Sequence, residues 1–228
     1  MNQTNFADRL IKEIEKKQNP TVVGLDPRLE QIPSFIKTDM TRKYGKNFEA
    51  AGACFFEFNK IMIDSVHDIV PAVKPQSAFY EQYGQFGMRA FDATVKYAKK
   101  KGLLVIDDAK RGDIGTTSEA YARAILGDVN LFDSQVMGND CDCVTVNPYL
   151  GSDGVMPFVE QCKKHGKGIF VLVKTSNKSS GELQDLFVQS VKADSKNKER
   201  VYEVMAKLVD KWGKGTEGKF GYKSVGAV

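Results

Sequence analysis

The stretch Leu103–Thr117, LLVIDDAKRGDIGTT, decides the fold. Four apolar residues come first, and three acidic and two basic side chains then fall between Asp107 and Asp113. A short apolar run ahead of turn signals reads as a strand covered on both faces. Opposed charges crowded where such a strand ends need each other or water. If the strand continues, Asp108 and Lys110 leave the same face roughly 6.6 Å apart along the chain and can meet. Asp113 follows just past the strand, near the same opening. Spacing alone leaves open whether Asp107 or Asp108 faces that opening, and a solvated strand end or a purely structural ion network is the rival reading.

Working outward, apolar runs recur as TVVGLD (21–26), PAVKPQ (71–76), CVTVNP (143–148), GIFVLVKTSN (168–177) and YKSVGAV (222–228). Segments with apolar residues three and four apart lie between them, which predicts helices. An amphipathic helix carries Phe6, Leu10, Ile11 and Ile14, and others cover Asn47–Val70, Gly87–Lys101, Ser118–Leu126, Met156–Lys163 and Val201–Trp212. Nearly all-apolar strands alternating with helices imply a parallel sheet buried on both faces. Two architectures fit, a closed (β/α) barrel and an open doubly wound sheet. GLDPRLEQIP (24–33) has no glycine-rich dinucleotide fingerprint after the first strand. Polar residues also recur at strand ends: Asp26, Lys74, Asp108 with Lys110, Asn147, and Thr175 with Ser176. A barrel gathers all of these at one mouth, so we expect a (β/α)8 TIM barrel as a single domain over residues 1–228. The sixth strand runs to Val228, and two further βα units are expected beyond it, which reads as C-terminal truncation. Lys178–Lys198 is longer than a usual βα connection and reads as a loop or insertion, either a lid or a decoration.

The 228 residues are 42% hydrophobic and 27% charged, enough for one sizeable core. The net charge of +4, from 33 basic and 29 acidic residues, is spread along the chain and does not form a nucleic-acid footprint. No segment approaches a membrane span. Cys54, Cys141, Cys143 and Cys162 have neither disulfide-framework nor four-ligand zinc spacing, and with only His67 and His165 available no metal site is expected. Reduced cytoplasm is the expected compartment. We assign neither histidine a catalytic role, and read Arg28 and Arg111 as surface charges.

Asp108, Lys110, Asp113, Ile114 and Thr117 spell Asp-x-Lys-x-x-Asp-Ile with a threonine four residues after the second aspartate. This resembles the signature of the orotidine 5'-phosphate decarboxylases. VVGLDPRL (22–29), AVKPQSAFYEQYG (72–84), VTVNPYLGSDG (144–154) and VLVKTSN (171–177) resemble, in order and spacing, that family's longer bacterial subgroup. The resemblance implies cofactor-free decarboxylation of orotidine 5'-monophosphate to uridine 5'-monophosphate. It makes Lys110 the acid that protonates C6, sets Asp108 against the substrate carboxylate, and has Lys74 pair with the acids and hold a ribose hydroxyl. It makes Asp26 a ribose ligand and Ser176 a contact to the pyrimidine and carboxylate region. It sends Asp113, Ile114 and Thr117 into a neighbouring subunit's site, implying a homodimer with shared active sites. The family's phosphate grip would fall past Val228, so the 228-residue chain is expected to turn over weakly or not at all. A magnesium-dependent sugar-phosphate aldol lyase on the same barrel and a catalytically silent dimeric scaffold are the alternatives.

Overall fold

The structure is a computed structural model that describes residues 4–189 and 198–228. In chain order the elements are α1 (Phe6–Lys17), β1 (Val22–Leu25), α2 (Ser34–Tyr44), α3 (Phe48–Val66), β2 (Ala72–Pro75), α4 (Ser77–Glu81), α5 (Gly84–Lys100) and β3 (Leu104–Arg111). Then come α6 (Gly115–Leu126), β4 (Asp128–Leu131), β5 (Ser134–Met137), β6 (Cys143–Val146), α7 (Ser152–His165) and β7 (Gly168–Val171). The last are β8 (Phe187–Val188), β9 (Glu199–Arg200), α8 (Val201–Trp212) and β10 (Val225–Ala227).

Six strands form one parallel sheet in the order β1-β2-β3-β6-β7-β10. This is the strand succession of a (β/α) barrel wall, with β1 and β10 as its two free edges, so within the described residues the barrel is an open wall and not a closed ring. The two-residue period of a strand sorts side chains between its faces. Val73, Val105, Val144, Ile169 and Val171 point outward into a core shared with Phe55, Phe91, Leu126 and Phe158 of the helices. Burying each such side chain contributes about 1.5–3 kcal/mol. Ala72, Leu104, Ile106 and Cys143 point inward, and Phe6 and Leu10 of α1 plug that inner face from below, with Phe6 meeting Phe170 edge to face. The apolar periodicity of the first seventeen residues is therefore a barrel floor.

Beneath the floor lies a half-buried ion network in which Asp142 and Lys167 are the buried members. Arg9 donates to Asp142 at 2.6 Å, Asp142 also accepts from the Val105 amide at 3.0 Å, and Lys167 donates to Asp140 at 2.5 Å. Charges removed from water in this way persist because they are paired.

The described portion of Lys178–Lys198 holds a 3₁₀ turn at Lys178–Glu182, and the β8–β9 pair joins that excursion to α8. Residues 190–197 of the expected loop lie outside the described residues. Two features escape the hydrophobic period. In α2 only Ile36 is buried, and the β4–β5 hairpin is exposed along most of its length, so neither shows an alternating pattern.

Helix α3 packs against α5 through glycine. A Cβ on Gly52 would stand 2.5 Å from the Phe86 carbonyl oxygen of α5, and one on Gly87 of α5 would collide with the Tyr80 carbonyl oxygen of α4. Neither backbone oxygen can move aside cheaply. Gly87→Ala is therefore expected to lose about 1–3 kcal/mol of stability, despite alanine's better helix propensity. Urea unfolding checks this, and an unchanged midpoint would contradict the close approach.

Candidate active site

Above the apolar inner layer, the same parity brings polar residues inward. Lys74 follows Ala72 on β2, Asp108 follows Leu104 and Ile106 on β3, and Thr145 follows Cys143 on β6. Asp108 is therefore the acid that faces the mouth, while Asp107 faces the helices. The register between β3 and β6 breaks here: Asp107 lies opposite Val144 and Arg111 opposite Val146, so β3 spends four residues where β6 spends two. Such a bulge re-aims side chains at a barrel rim. Lys110 takes up part of the excess at φ 50, a left-handed conformation costing a non-glycine residue about 1–3 kcal/mol. Its amide donates to Thr145 Oγ1 at 2.9 Å, which helps to hold it there.

Asp108 is 6% exposed and its carboxylate accepts from four side chains. Lys110 at 2.5 Å and Thr145 at 2.9 Å donate to Oδ1, while Lys74 at 2.7 Å and Gln76 at 3.0 Å donate to Oδ2. Burial pushes its pKa up, but Lys110, Lys74 and Thr145 outweigh that and hold it below the usual aspartate value. The ammonium groups of Lys74 and Lys110 remain partly open to the mouth. They sit fixed on one buried anion with their outer faces available to a ligand.

Asp107 is buried against the helices, where Ser77 Oγ donates to its carboxylate. Burial dominates and pushes its pKa up to about 6 against the counter-pull of Ser77 and Arg111.

Lys110 also lines a cavity of about 530 Å³ with Asn147, Tyr149, Thr175, Ser176 and Gln184. Ser176 thus shares a cavity with Lys110. Asp26 is exposed at the end of β1. Asp113 does not join the Lys74–Asp108–Lys110 cluster in its own chain; its carboxylate accepts from the Ile114 amide at 2.8 Å as α6 begins. Ile114 is 54% exposed, and Thr117 is exposed on the first turn of α6. Sequence reading missed Gln76 and Thr145. The signal was present: Gln76 stands two residues after Lys74, and Thr145 two before Asn147.

A parallel barrel wall with a lysine–aspartate–lysine cluster at the C-terminal ends of its strands defines a barrel enzyme equipped for charge stabilisation and proton delivery. Residues 22–219 match the model of the orotidine 5'-phosphate decarboxylase / HUMPS family. The chain belongs to this family. It is 40% identical to an orotidine 5'-phosphate decarboxylase of Caldicellulosiruptor saccharolyticus, over 98% of this chain and 71% of that one. It is 43% identical to an enzyme of the same name from Rhodopirellula baltica, over 98% and 69%. A solved chain from Streptomyces avermitilis superposes with a TM-score of 0.74 at 31% identity, covering 100% of this chain and 70% of its own. The solved orotidine monophosphate decarboxylase of Leishmania donovani gives 0.67 at 30%, covering 92% and 67%.

Between about pH 4 and 6, folded Asp107 keeps a proton that the unfolded chain has lost. Its contribution to stability is thus complete below the unfolded pKa near 3.9 and is lost as pH rises through the folded value. Asp107→Asn cannot lose that proton, so its stability relative to the parent is expected to rise between pH 4 and 7 by on the order of 3 kcal/mol. Urea titrations across this range check it, and a difference independent of pH would contradict it.

Proposed function

We infer that this chain decarboxylates orotidine 5'-monophosphate to uridine 5'-monophosphate in pyrimidine biosynthesis, with Lys110 as the proton donor. The observation that carries the reading is the seating of two ammonium groups on the single carboxylate of Asp108, at 2.7 and 2.5 Å, with Lys110 on the cavity wall. The family and its relatives supply the substrate. In the reaction the C6–carboxylate bond breaks, its electron pair stays on C6 and carbon dioxide leaves. The Lys110 ammonium then gives its proton to C6 and regains one from water.

A carbanion localised on C6 has no electron sink, so the barrier must fall toward the upper part of the ~8–23 kcal/mol that enzymes supply. An ammonium already fixed in place stabilises the developing charge without reorganising solvent. Asp108 disfavours the substrate carboxylate but leaves neutral carbon dioxide unpenalised. Lys74 pairs with Asp108 and holds a ribose hydroxyl, Asp26 holds the ribose, and Ser176 meets the pyrimidine. In this reading the charges of these side chains suffice, and no organic cofactor or metal is required.

One domain carries this site, and two copies of the chain form a homodimer in which Asp113, Ile114 and Thr117 serve the partner's site. Supporting that arrangement, Ile114 is a large exposed apolar side chain, and Asp113 is not drawn to its own Lys110. The cytoplasm is the proposed compartment: all four cysteines are free and buried, and no described helix is long and apolar enough to cross a membrane. Neither nucleic acid nor membrane is a proposed partner.

Lys110→Ala is expected to abolish decarboxylation while uridine 5'-monophosphate still binds; unchanged turnover would remove Lys110 as the acid. Mixing inactive Lys110→Ala with inactive Asp113→Ala should restore about a quarter of the sites, because half of randomly mixed dimers hold one intact site of two. No recovery on subunit exchange would remove the shared site.

A further inference from the structure

The cavity that holds Lys110 has a second wall whose construction the reaction described above leaves unused. After β7 the chain passes through Lys174, Thr175 and Ser176, then makes the excursion that returns through β8 and β9 to α8. Residues at the end of a strand have no ladder partner of their own, so something else must fix them.

Gln184 does this at Thr175. Its Oε1 accepts the Thr175 amide at 2.9 Å, and its Nε2 donates to Thr175 Oγ1 at 2.7 Å. The Thr175 hydroxyl in turn donates to Asn177 Oδ1 at 2.7 Å, so Ser176 is bracketed on both sides by one connected set of hydrogen bonds. A primary amide suits this task because it accepts from a main-chain N–H and donates to a hydroxyl at the same time.

Gln184 is itself anchored. Its main-chain oxygen accepts the Tyr202 amide at 3.1 Å, and the next carbonyl, that of Asp185, accepts from Arg200 at 3.1 Å. Lys174 donates to the Asp185 carboxylate at 2.8 Å. At the start of α8 the Glu203 carboxylate accepts the Arg200 amide at 2.6 Å. The N-terminal turn of α8 thus holds Gln184, and Gln184 holds the strand end beside Ser176. Half-buried, Gln184 also lines the cavity.

We propose that Gln184 is a positioning residue: it clasps the main chain and hydroxyl of Thr175 and so fixes Ser176 on the wall of the cavity that holds Lys110. The assignment of Ser176 to the pyrimidine rests on the reading given under Proposed function. The clasp deepens that reading by naming what keeps the serine in place. A polar group held in its working geometry before the ligand arrives costs no reorganisation at the moment of reaction.

A double-mutant cycle of Gln184→Ala and Ser176→Ala in the 228-residue chain tests this. It is read on kcat and KM for orotidine 5'-monophosphate and on Kd for uridine 5'-monophosphate. With Ser176 intact, Gln184→Ala is expected to lose roughly tenfold in kcat/KM and to raise Kd, the loss of about one well-made side-chain hydrogen bond. In the Ser176→Ala background the same change should cost less than about twofold, the non-additivity of residues acting through one another. Thr175→Val, which deletes the hydroxyl leg and leaves the amide leg, should lose less than Gln184→Ala and serves if the latter fails to fold. Equal losses from Gln184→Ala in both backgrounds would overturn the clasp, as would no loss from either Gln184→Ala or Thr175→Val. A wild-type chain that binds uridine 5'-monophosphate with too little turnover to measure puts the same cycle on Kd alone, where a larger loss from Gln184→Ala with Ser176 intact than without it supports the clasp and equal losses overturn it. A chain that does neither would overturn both.

Discussion

The carboxylate of Asp108 can stay ionised in a buried position only because its surroundings compensate for the water it has lost. Two ammonium groups, a hydroxyl and an amide donate to its two oxygens, leaving little unmet acceptor capacity. Removing any one donor weakens the case for the charge, and removing the charge frees both lysines. Lys74, Lys110 and Thr145 come from three strands and Gln76 directly follows the first of them, so the site also depends on those strands lying side by side. A buried ion pair by itself is weak evidence for stability. Here its value lies in geometry, since it presents two cations at the mouth with their positions already set.

That geometry follows from layering along the strands. The lower inward positions are apolar and close over α1, whereas the upper inward positions are charged or hydroxylic. Among the described residues the bulge in β3 is the one departure from regular pairing inside the sheet, and it falls where Lys110 must be aimed. The backbone is strained at the residue proposed to deliver the proton, and the Thr145 hydroxyl that steadies the Lys110 amide also binds Asp108. Function and local irregularity therefore share a small set of atoms.

Much of this is legible in the sequence. The short apolar strands, the long periodic helices Phe48–Val66 and Val201–Trp212, and the meeting of Asp108 with Lys110 follow from periods of two and 3.6 residues. Lys74 was legible because it ends an apolar run. Period alone could not choose between Asp107 and Asp108, because a run of consecutive strand residues alternates and either could face inward; the neighbouring strands decide. Gln76 and Thr145 were missed because neutral polar side chains near strand ends look like ordinary turn chemistry. The β4–β5 hairpin and α2 were missed because they bury little. The left-handed backbone at Lys110 had no signal at all, since lysine rarely adopts it and no glycine marks the place.

Carbon-13 NMR of the Asp108 carboxyl group, assigned with Asp108→Asn and followed from pH 8 downward, tests the central claim most directly. The two lysines should keep the signal in its ionised position down to about pH 4, where an unperturbed aspartate is already half protonated. Lys74→Ala should move the titration upward. A midpoint at or above the ordinary aspartate value in the unaltered chain would mean that the cluster does not hold its central charge, and the account would fail.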